Sequence, residues 1–496
     1  MDIQGFFKHW HIRENPFQAE EAKHDAVYLR HLAEAMTHPD FEKIYGSPRE
    51  ASTSVVFGNK GSGKTAMRLL MEKRYEDHNA EHSGEKVFVI RYDDLNPVLD
   101  RVAQHHGKSG GAKKLPNMRL VDHQDAMLSL GVSQLVDDIL DDTSRKATKT
   151  LRKMPRQHRF DLALLAALYD EPDGGHGGSR QVRLRQLTGV APFWRPNRLL
   201  WLAGLFALGW LASVIVYGTP PEETYGWVAT IGSIAGLVAC LSALTFSYFK
   251  RGALGRRLHR EMWTSLRSSA NWRKLMANFS DRDLSLAPLP RKDDQECRYE
   301  LTHRFQRLIE SWGYHRVVVL IDRVDEPEFV NSDPDKMCEL IWPMLNNKFL
   351  QQDELALKML LPAELGDRLR REDADFFHRA RLDKQNLIGR LEWTGAALYD
   401  ICSRRLKACQ VEAGEKITGL ADLFDDSVSS GDLIKSLEHM RQPRDAFKFL
   451  YQVIQEHCLD HPDDDPVYQI PAYVLEKVRK AQSRRLDDLN TGVAPA

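Results

Sequence analysis

The chain alternates short apolar runs with longer polar stretches of helical periodicity, a pattern typical of an α/β fold. The apolar runs predict buried strands at residues 54–57, 86–92, 315–321 and 355–361. A segment with the pattern of a helix lies between the first run and the second. Strand, helix and strand in this order predict the beginning of a parallel sheet.

Two longer segments, Leu199–Tyr217 and Trp227–Phe249, contain no charged residue. Each is long enough to cross a hydrocarbon layer of about 30 Å. The short acidic stretch 218–226 joins them. Basic residues flank the pair, with Arg180, Arg183, Arg185, Arg195 and Arg198 before it and Lys250, Arg251, Arg256 and Arg257 after it. The alternative is a buried helical hairpin in the core of a soluble protein.

The distribution of these basic residues predicts the topology of the two segments. Positively charged flanks remain in the cytoplasm, so we expect the acidic stretch to lie outside. The sequence therefore predicts a protein of the inner (cytoplasmic) membrane with two spans, anchored through residues 199–249. Its N-terminal and C-terminal parts would both be cytoplasmic.

Composition narrows the function classes. With 496 residues the chain is long enough for two or three domains. The formal net charge of −1 gives no general basic field for nucleic acid, and contact with nucleic acid is left open. The six cysteines form no C-x-x-C pair, which argues against a zinc site or a disulfide framework. The first residues lack a basic region followed by an apolar core, so we expect no signal peptide.

The stretch between the first strand and its helix matches the phosphate-binding pattern G-x-x-x-x-G-K-[ST]. The residues concerned are Gly58, Asn59, Lys60, Gly61, Ser62, Gly63, Lys64 and Thr65, and Ala66 continues into the predicted helix. Glycines allow the backbone to approach phosphate closely, and the helix N-terminus adds partial positive charge. We expect ATP to bind here, with Lys64 on its outer phosphates and Thr65 as a ligand of Mg²⁺. A glycine-rich turn is the alternative, but it would not need lysine and threonine at these positions.

A second candidate motif follows the strand at 315–321. An apolar run that ends in an acid is typical of a buried parallel strand that delivers a carboxylate to the edge of the sheet. Asp322 would hold Mg²⁺, directly or through water, and Glu326 or Asp325 would orient or deprotonate the attacking water. The choice between these two acids stays open. The alternative is a core strand followed by an acidic turn.

The chain runs 257 residues from Thr65 to Asp322, and the apolar pair lies within this interval. In this arrangement the chain resembles the KAP-type P-loop NTPases, within the broader group of AAA+-like and STAND ATPases. That resemblance implies an AAA+-like P-loop parallel sheet with a C-terminal helical lid and an inserted two-helix transmembrane hairpin. Arg323 and Glu326 depart from the KAP pattern, and the ending Asp-x-x-Asp-Glu looks more like other bacterial STAND or origin-recognition-like ATPases.

Gln442-Pro443-Arg444, at the head of a predicted helix, is similar to the sensor-2 segment of AAA+ lids. The resemblance implies that Arg444 contacts the outer phosphates of the nucleotide. The alternative is a surface arginine at a helix start. A polar sensor-1 residue is not obvious, because Lys358 is the only polar residue in the strand at 355–361. Arginines that could act on a neighbouring molecule are Arg368, Arg370, Arg371, Arg379, Arg390, Arg404 and Arg405.

We divide the chain by pattern and resemblance into eight segments. They are a helical leader (1–50), the first part of the ATPase core (51–103), a helical insertion and linker (104–198), the transmembrane hairpin (199–249), a helical return (250–313), the second part of the core (314–395), a helical lid (396–480) and a flexible tail (481–496). The leader, with a helix predicted over 19–36, would either pack near the adenine or form a surface helix pair. We expect a flexible loop at 104–114 and a linker at 172–179.

Two functions remain open at this point. The first is a membrane-anchored, Mg²⁺-dependent ATPase. The resemblance implies that it acts in a bacterial conflict (anti-phage) or signalling assembly, as a homo-oligomer with a protein partner that carries the effector function. The second is an ATP-dependent oligomerisation switch or scaffold with little turnover, whose effector chemistry lies on a partner. A transporter, a GTPase and a small-molecule kinase fit the motifs less well.

Overall fold

A computed structural model describes residues 1–18, 21–32, 38–105, 117–142, 146–171, 177–189, 195–217, 224–291, 293–411, 417–462, 464 and 466–490. The chain divides into two compact units. Unit 1 comprises Met1–Leu95 and Gly313–Ala496, and unit 2 comprises Asn96–Trp312. Most of the predicted loop 104–114, most of the predicted linker 172–179, the stretch 218–223 and the last part of the predicted tail lie outside the described residues.

Unit 1 contains a five-stranded parallel sheet. Its strands are β1 Ser54–Gly58, β2 Lys86–Tyr92, β3 Tyr314–Ile321, β4 Leu355–Pro362 and β5 Asn386–Ile388. They lie side by side in the order β2-β3-β4-β1-β5. The four predicted strands are confirmed, and the short β5 adds the fifth.

Helices make up most of the remaining described chain. In chain order they are α1 Ile3–His9, α2 Ala26–Arg30, α3 Phe41–Tyr45, α4 Lys64–Glu81, α5 Asn96–His105, α6 Leu120–Leu140, α7 Lys146–Lys153, α8 Arg156–Tyr169, α9 Gly177–Thr188, α10 Arg195–Tyr217, α11 Thr224–Glu261, α12 Ser269–Met276, α13 Asp281–Leu286, α14 Gln295–Glu310, α15 Pro334–Ile341, α16 Asn347–Leu350, α17 Ala363–Leu369, α18 Ala374–Ala380, α19 Gly395–Ala408, α20 Ser430–Glu438, α21 Pro443–Asp460 and α22 Ala472–Asn490.

The core of the sheet forms where α4 packs against the strands. Leu70 and Met71 of α4 lie in one buried cluster with Val56, Leu320 and Leu360 from the three central strands. The strands read as nearly continuous apolar runs because helices cover both faces of a parallel sheet. This packing fixes the position at which α4 begins, directly after the glycine-rich loop.

A separate apolar core holds the C-terminal helices together. Phe6 and Phe7 of α1 are buried in it beside Leu398, Phe449 and Ile454. The first residues of the chain therefore pack into the predicted lid. This part of the leader is therefore buried and does not belong to a surface helix pair.

The helix predicted over 19–36 is interrupted in the structure. Residues 22–24 form a 3₁₀ turn, and α2 begins only after Asp25. The Asp25 carboxylate accepts a hydrogen bond from the Tyr28 backbone N–H at 3.0 Å and so caps the new helix. Residues 19–20 and 33–36 lie outside the described residues.

Strand β4 carries a buried lysine. The Lys358 Nζ donates hydrogen bonds to the carbonyl oxygens of Ile44 at 2.8 Å and Ser52 at 2.6 Å. Burial lowers the pKa of Lys358 to about 7. The amine thus fastens the chain segment before β1 to the centre of the sheet.

In unit 2, α10 and α11 form an antiparallel pair that contains the two charge-free segments. Both helices are long and apolar enough to cross a membrane. Only 11% of the apolar window of α10 and 6% of that of α11 is buried. This low burial does not fit the alternative of a soluble-core hairpin, whose apolar side chains would be covered by protein.

The two apolar helices contact each other through small and hydroxyl-bearing residues. A Cβ atom on Gly236 would collide with the ring of Phe206, so glycine permits the close approach at this point. Ser213 and Thr230 share a hydrogen bond of 2.7 Å between their hydroxyl oxygens. Past its apolar part, α11 continues without interruption to Glu261.

A buried ion pair joins three other helices of unit 2. Arg298 of α14 donates to Asp125 of α6 at 3.0 Å, and both side chains are fully buried. The Tyr169 hydroxyl of α8 donates to the same carboxylate at 2.8 Å. These bonds join three helices. They also give the buried carboxylate the partners without which its burial would be strongly unfavourable.

Candidate functional site

The glycine-rich loop connects β1 to α4 in unit 1. Gly61 and Gly63 have φ angles of 97° and 95°, in the left-handed region that glycine adopts easily. These two residues let the loop fold back over the start of α4. The Lys64 Nζ donates hydrogen bonds to the carbonyl oxygens of Gly58 at 2.7 Å and Asn59 at 3.0 Å. The loop therefore closes around its own lysine.

Asp322, directly after β3, meets this loop. The Thr65 hydroxyl donates a hydrogen bond of 2.9 Å to Oδ2 of Asp322. Strand β4 lies between β1 and β3, so the two residues reach each other across the end of an intervening strand. Burial raises the pKa of Asp322, and the hydrogen bond from Thr65 opposes this shift. The two sequence motifs come together at the carboxyl edge of the sheet.

Arg68 is a member of the site that the sequence motifs did not indicate. It lies one turn after Thr65 on α4 and is buried. Its Nε lies 3.4 Å from Oδ2 of Asp322, and its NH2 lies 3.2 Å from Asp93. Its spacing of three residues from Thr65 was the available signal, since residues at i and i+3 share a helix face.

The oxygens of Thr65 and Asp322 suit Mg²⁺, which favours hard oxygen ligands and retains several waters. Within the described parts of the chain, no three or more His, Cys, Asp or Glu residues form a group that could hold a metal ion. An all-protein metal cage is thus missing from these parts. The donor set fits a magnesium ion that takes its remaining ligands from water and phosphate.

The two candidate bases differ in their surroundings. Glu326 is exposed and forms an ion pair of 3.4 Å with Arg323. Partial burial raises its pKa, and the charge of Arg323 opposes that shift. Asp325 is half-buried, and the Ser332 backbone N–H donates to its carbonyl oxygen at 2.9 Å. The acidic turn is therefore held in place while both carboxylates line the same cavity.

The charge around Lys64 distinguishes these acids. Burial lowers the pKa of Lys64. Three carboxylates oppose that shift, in decreasing order Asp322, Asp325 and Glu364. The negative charge of Asp325 thus helps to keep Lys64 protonated. Glu364, two residues after the end of β4, was missed in the sequence, although an acid just beyond a buried strand was a usable signal.

Arg444 lies against the glycine-rich loop. Its backbone N–H donates to the Gly61 carbonyl oxygen at 3.4 Å. A Cβ atom on Gly61 would stand 2.9 Å from the Cβ of Arg444, so only glycine allows this contact. Trp393, which no motif indicated, donates from Nε1 to the Ser62 carbonyl oxygen at 2.9 Å. The helical part of unit 1 is thus joined to the loop at two points.

These residues surround a cavity of about 1050 Å³. This is near the upper end of the roughly 300–1,000 Å³ typical of small-molecule sites. One part is apolar, with Val27, Leu70, Ile401 and Phe447 in its wall. The Tyr28 hydroxyl donates to the Ala66 carbonyl oxygen at 2.6 Å, which places the leader in the wall.

The predicted site residues are distributed unevenly around this cavity. Those that line it are Lys60, Gly61, Gly63, Lys64, Thr65, Ala66, Asp322, Asp325, Glu326 and Arg444. Gly58, Asn59 and Ser62 belong to the loop but do not line the cavity. Arg405, one of the arginines considered for action on a neighbour, is buried and donates to Asp25 at 2.6 Å. It is therefore a structural residue of its own chain.

No protein-family model matches the chain, and no curated protein or solved structure matches it significantly.

Proposed function

We propose that the chain is a membrane-anchored, Mg²⁺-dependent ATPase of the AAA+-like kind. The observation that carries this proposal is the hydrogen bond between Thr65 and Asp322. It unites a phosphate-loop sequence with a strand-end carboxylate at the rim of one large cavity. The contact favours the functional interpretation of both motifs over their alternatives, a glycine-rich turn and an acidic turn after a core strand.

The residues of the cavity divide into groups with different tasks. The Lys64 ammonium and the Arg444 guanidinium bind the outer phosphates and stabilise the charge that develops on them. Thr65 and Asp322 hold Mg²⁺, which supplies further neutralisation of the phosphate oxygens. The apolar wall around Val27 accepts the flat adenine base.

The attacking water needs a carboxylate acceptor. The negative charge of Asp325 favours the protonated form of Lys64. Glu326, by contrast, has a raised pKa, which suits a general base. We assign the water-orienting role to this pair of acids. Both follow Asp322 on the same turn, so a single movement of that turn would affect both.

The hairpin of α10 and α11 anchors the protein in the inner membrane. Its exposed apolar surface and its basic flanks support two spans with both flanks in the cytoplasm. The family resemblance suggests a role in anti-phage conflict or signalling. A homo-oligomer and a protein partner with the effector chemistry belong to the same suggestion.

A second candidate is an ATP-dependent switch or scaffold with little turnover. It is favoured by the ion pair between Arg323 and Glu326, because a carboxylate paired with a guanidinium is a weaker base. It is also favoured by the contacts of Arg444 and Trp393 with the loop, through which bound nucleotide would set the position of the lid.

Full-length protein in detergent tests the two candidates together. ATP binding and phosphate release are measured with and without Mg²⁺. Steady turnover that requires Mg²⁺ supports the ATPase. Tight binding without turnover, accompanied by a nucleotide-dependent change in particle size, supports the switch. Absence of nucleotide binding contradicts both candidates.

A further inference from the structure

A second cavity lies in unit 2, next to the point where α11 ceases to be apolar. It measures about 610 Å³ and is bounded by the last turns of α11, by α13 and by the start of α14. Lys250, the first charged residue after Phe249, forms part of its wall. Arg257 lies about 10 Å beyond Lys250 along the helix axis, at about 1.5 Å per residue. The cavity thus begins at the edge of the apolar segment.

The wall of this cavity is predominantly basic. Its charged residues are Lys250, Arg251, Arg257 and Arg291 against Asp281 and Asp294. The Asp294 carboxylate already accepts a hydrogen bond of 3.1 Å from the Cys297 backbone N–H at the start of α14. Leu254, Leu284 and Leu289 form an apolar part of the wall. A surface of this kind suits a ligand with a negative head and an apolar continuation.

The half-buried Arg257 supplies a further observation. Its Nε is buried and has no hydrogen-bond partner among the residues that the structure describes. Among the ion pairs of the described residues, none involves Arg257, while Arg251 lies 3.9 Å from Asp281. A buried guanidinium N–H without an acceptor is unfavourable, and phosphate oxygens match its planar geometry. The described protein around Arg257 therefore offers its Nε no acceptor, and a phosphate oxygen would supply one.

Aromatic and basic residues place the end of the apolar part of α11, where the cavity begins, at the level of lipid headgroups. The Arg273 guanidinium donates to the Tyr248 hydroxyl at 2.5 Å and lies 4.4 Å from the centre of its ring. Tyrosine near the end of an apolar helix typically marks the headgroup layer. Leu286, at the end of α13, is 74% exposed, which suits contact with acyl chains.

We propose that this cavity binds the phosphate group of an anionic lipid on the cytoplasmic face of the membrane. This inference rests on the proposed membrane anchor, but it does not depend on ATP chemistry. Arg257 binds the phosphate, Arg291 and Lys250 add positive charge, and the leucine wall accompanies the first part of the acyl chains. A free phosphate ion offers the same head chemistry, so the experiment must separate the two sources.

The experiment uses full-length protein extracted in mild detergent after a carbonate wash of the membranes. Native mass spectrometry then measures retained lipid after exchange into vesicles of phosphatidylcholine with roughly one quarter phosphatidylglycerol. Inorganic phosphate without lipid forms the second arm. The variants are Arg257→Gln and Arg291→Gln. Arg256→Gln is the matched control, since Arg256 is exposed on the same helix and does not line the cavity.

We expect the wild type and Arg256→Gln to retain phosphatidylglycerol in preference to phosphatidylcholine. Arg257→Gln should weaken retention roughly tenfold, because a charge-assisted bond to phosphate is lost. Binding of inorganic phosphate alone, with the same dependence on Arg257, would support the phosphate site but assign it to a soluble ligand. Absence of both, or equal loss in Arg256→Gln, would overturn the proposal.

Two further measurements separate this proposal from the proposed function. Release of the protein by the carbonate wash contradicts the membrane anchor. An anchored protein without lipid preference contradicts only the cavity. ATP binding by Arg257→Gln should equal that of the wild type, and this also shows that the variant is folded.

Discussion

The Thr65 hydroxyl and the Asp322 carboxylate lie 257 positions apart in the chain and share a hydrogen bond of 2.9 Å. Thr65 follows β1 and its loop, and Asp322 follows β3, so the bond connects two strands that are not neighbours in the sheet. Two residues far apart in sequence thus complete one site, and every residue of unit 2 falls between them.

Replacement of Lys64 with alanine should weaken ATP binding by roughly ten- to a hundredfold, because one charge-assisted contact to phosphate is lost. Isothermal calorimetry on full-length protein measures the effect. Lys73→Ala is the control, since Lys73 lies on the same helix and pairs with Asp77 at 2.8 Å. Equal affinity in wild type and Lys64→Ala would remove the loop from the nucleotide site.

Asp322→Asn should change the response to Mg²⁺ more than the affinity for nucleotide. The amide cannot supply the negative charge that holds the ion, so turnover should fall roughly a hundredfold. A titration of activity with Mg²⁺ should shift to higher concentrations. Asp77→Asn, an exposed change on α4, should leave the titration unchanged. An unaltered titration in Asp322→Asn would contradict the metal assignment.

A comparison of Asp325→Asn with Glu326→Gln decides which acid serves the attacking water. Loss of the general base lowers turnover by about 10²- to 10⁴-fold while ATP still binds. Partial desolvation raises the pKa of the exposed Glu326. As pH decreases, turnover that depends on this carboxylate should therefore begin to fall at a higher pH than for an ordinary glutamate. If Glu326→Gln keeps full turnover and the same pH profile, Asp325 remains as the candidate.

Arg444→Ala should reduce turnover by roughly a hundredfold, because its guanidinium no longer offsets phosphate charge. Arg444→Lys should recover only part of the loss, since an ammonium cannot make the paired bonds of a guanidinium. Arg479→Ala, on the last helix of the same unit, is the control. Thermal unfolding of each variant shows whether a loss comes from the site or from the fold.

The buried Lys358 predicts a pH dependence of stability. Its pKa is about 7 in the folded chain against an ordinary value of 10.5. The unfolded chain therefore binds this proton more tightly between these values, and the free energy of unfolding should rise as pH increases across that window. The contribution is on the order of a few kcal/mol.

Thermal unfolding of the full chain in detergent at several pH values between these limits measures this contribution. Lys358→Met should flatten the rise, because it removes the titrating group. Lys348→Met, at an exposed position of α16 in the same unit, should keep it. A wild-type unfolding temperature that falls with pH, parallel to that of Lys358→Met, would contradict the assignment.

Local patterns were sufficient to predict the strands and the apolar helices. The loop Gly58–Thr65 and the strand before Asp322 each combine a distinctive motif with the periodicity of their neighbours. Their positions in the structure agree with the prediction within about one residue at most ends. The sequence did not predict the order of the strands, because periodicity carries no information about which strands pair.

The missed members of the site come from tertiary contacts. Trp393 reaches the loop from a segment 331 residues away, and no periodicity at Trp393 indicates this contact. Tyr28 lies in a stretch predicted as one long helix, which Asp25 divides by capping a shorter one. Residues that build a wall from different parts of the chain have ordinary local surroundings, and only the fold brings them together.

The position of β1 in the sheet has a consequence for biosynthesis. Its partners are β4 and β5, and Ser54 pairs with Lys358, 304 residues later in the chain. At about 5–20 residues per second, the ribosome needs roughly 15–60 s to make that interval. During this time the nascent loop has no sheet to support it, while α10 and α11 have already left the ribosome. The loop after β1 can therefore reach its final packing only after the apolar hairpin has emerged from the ribosome.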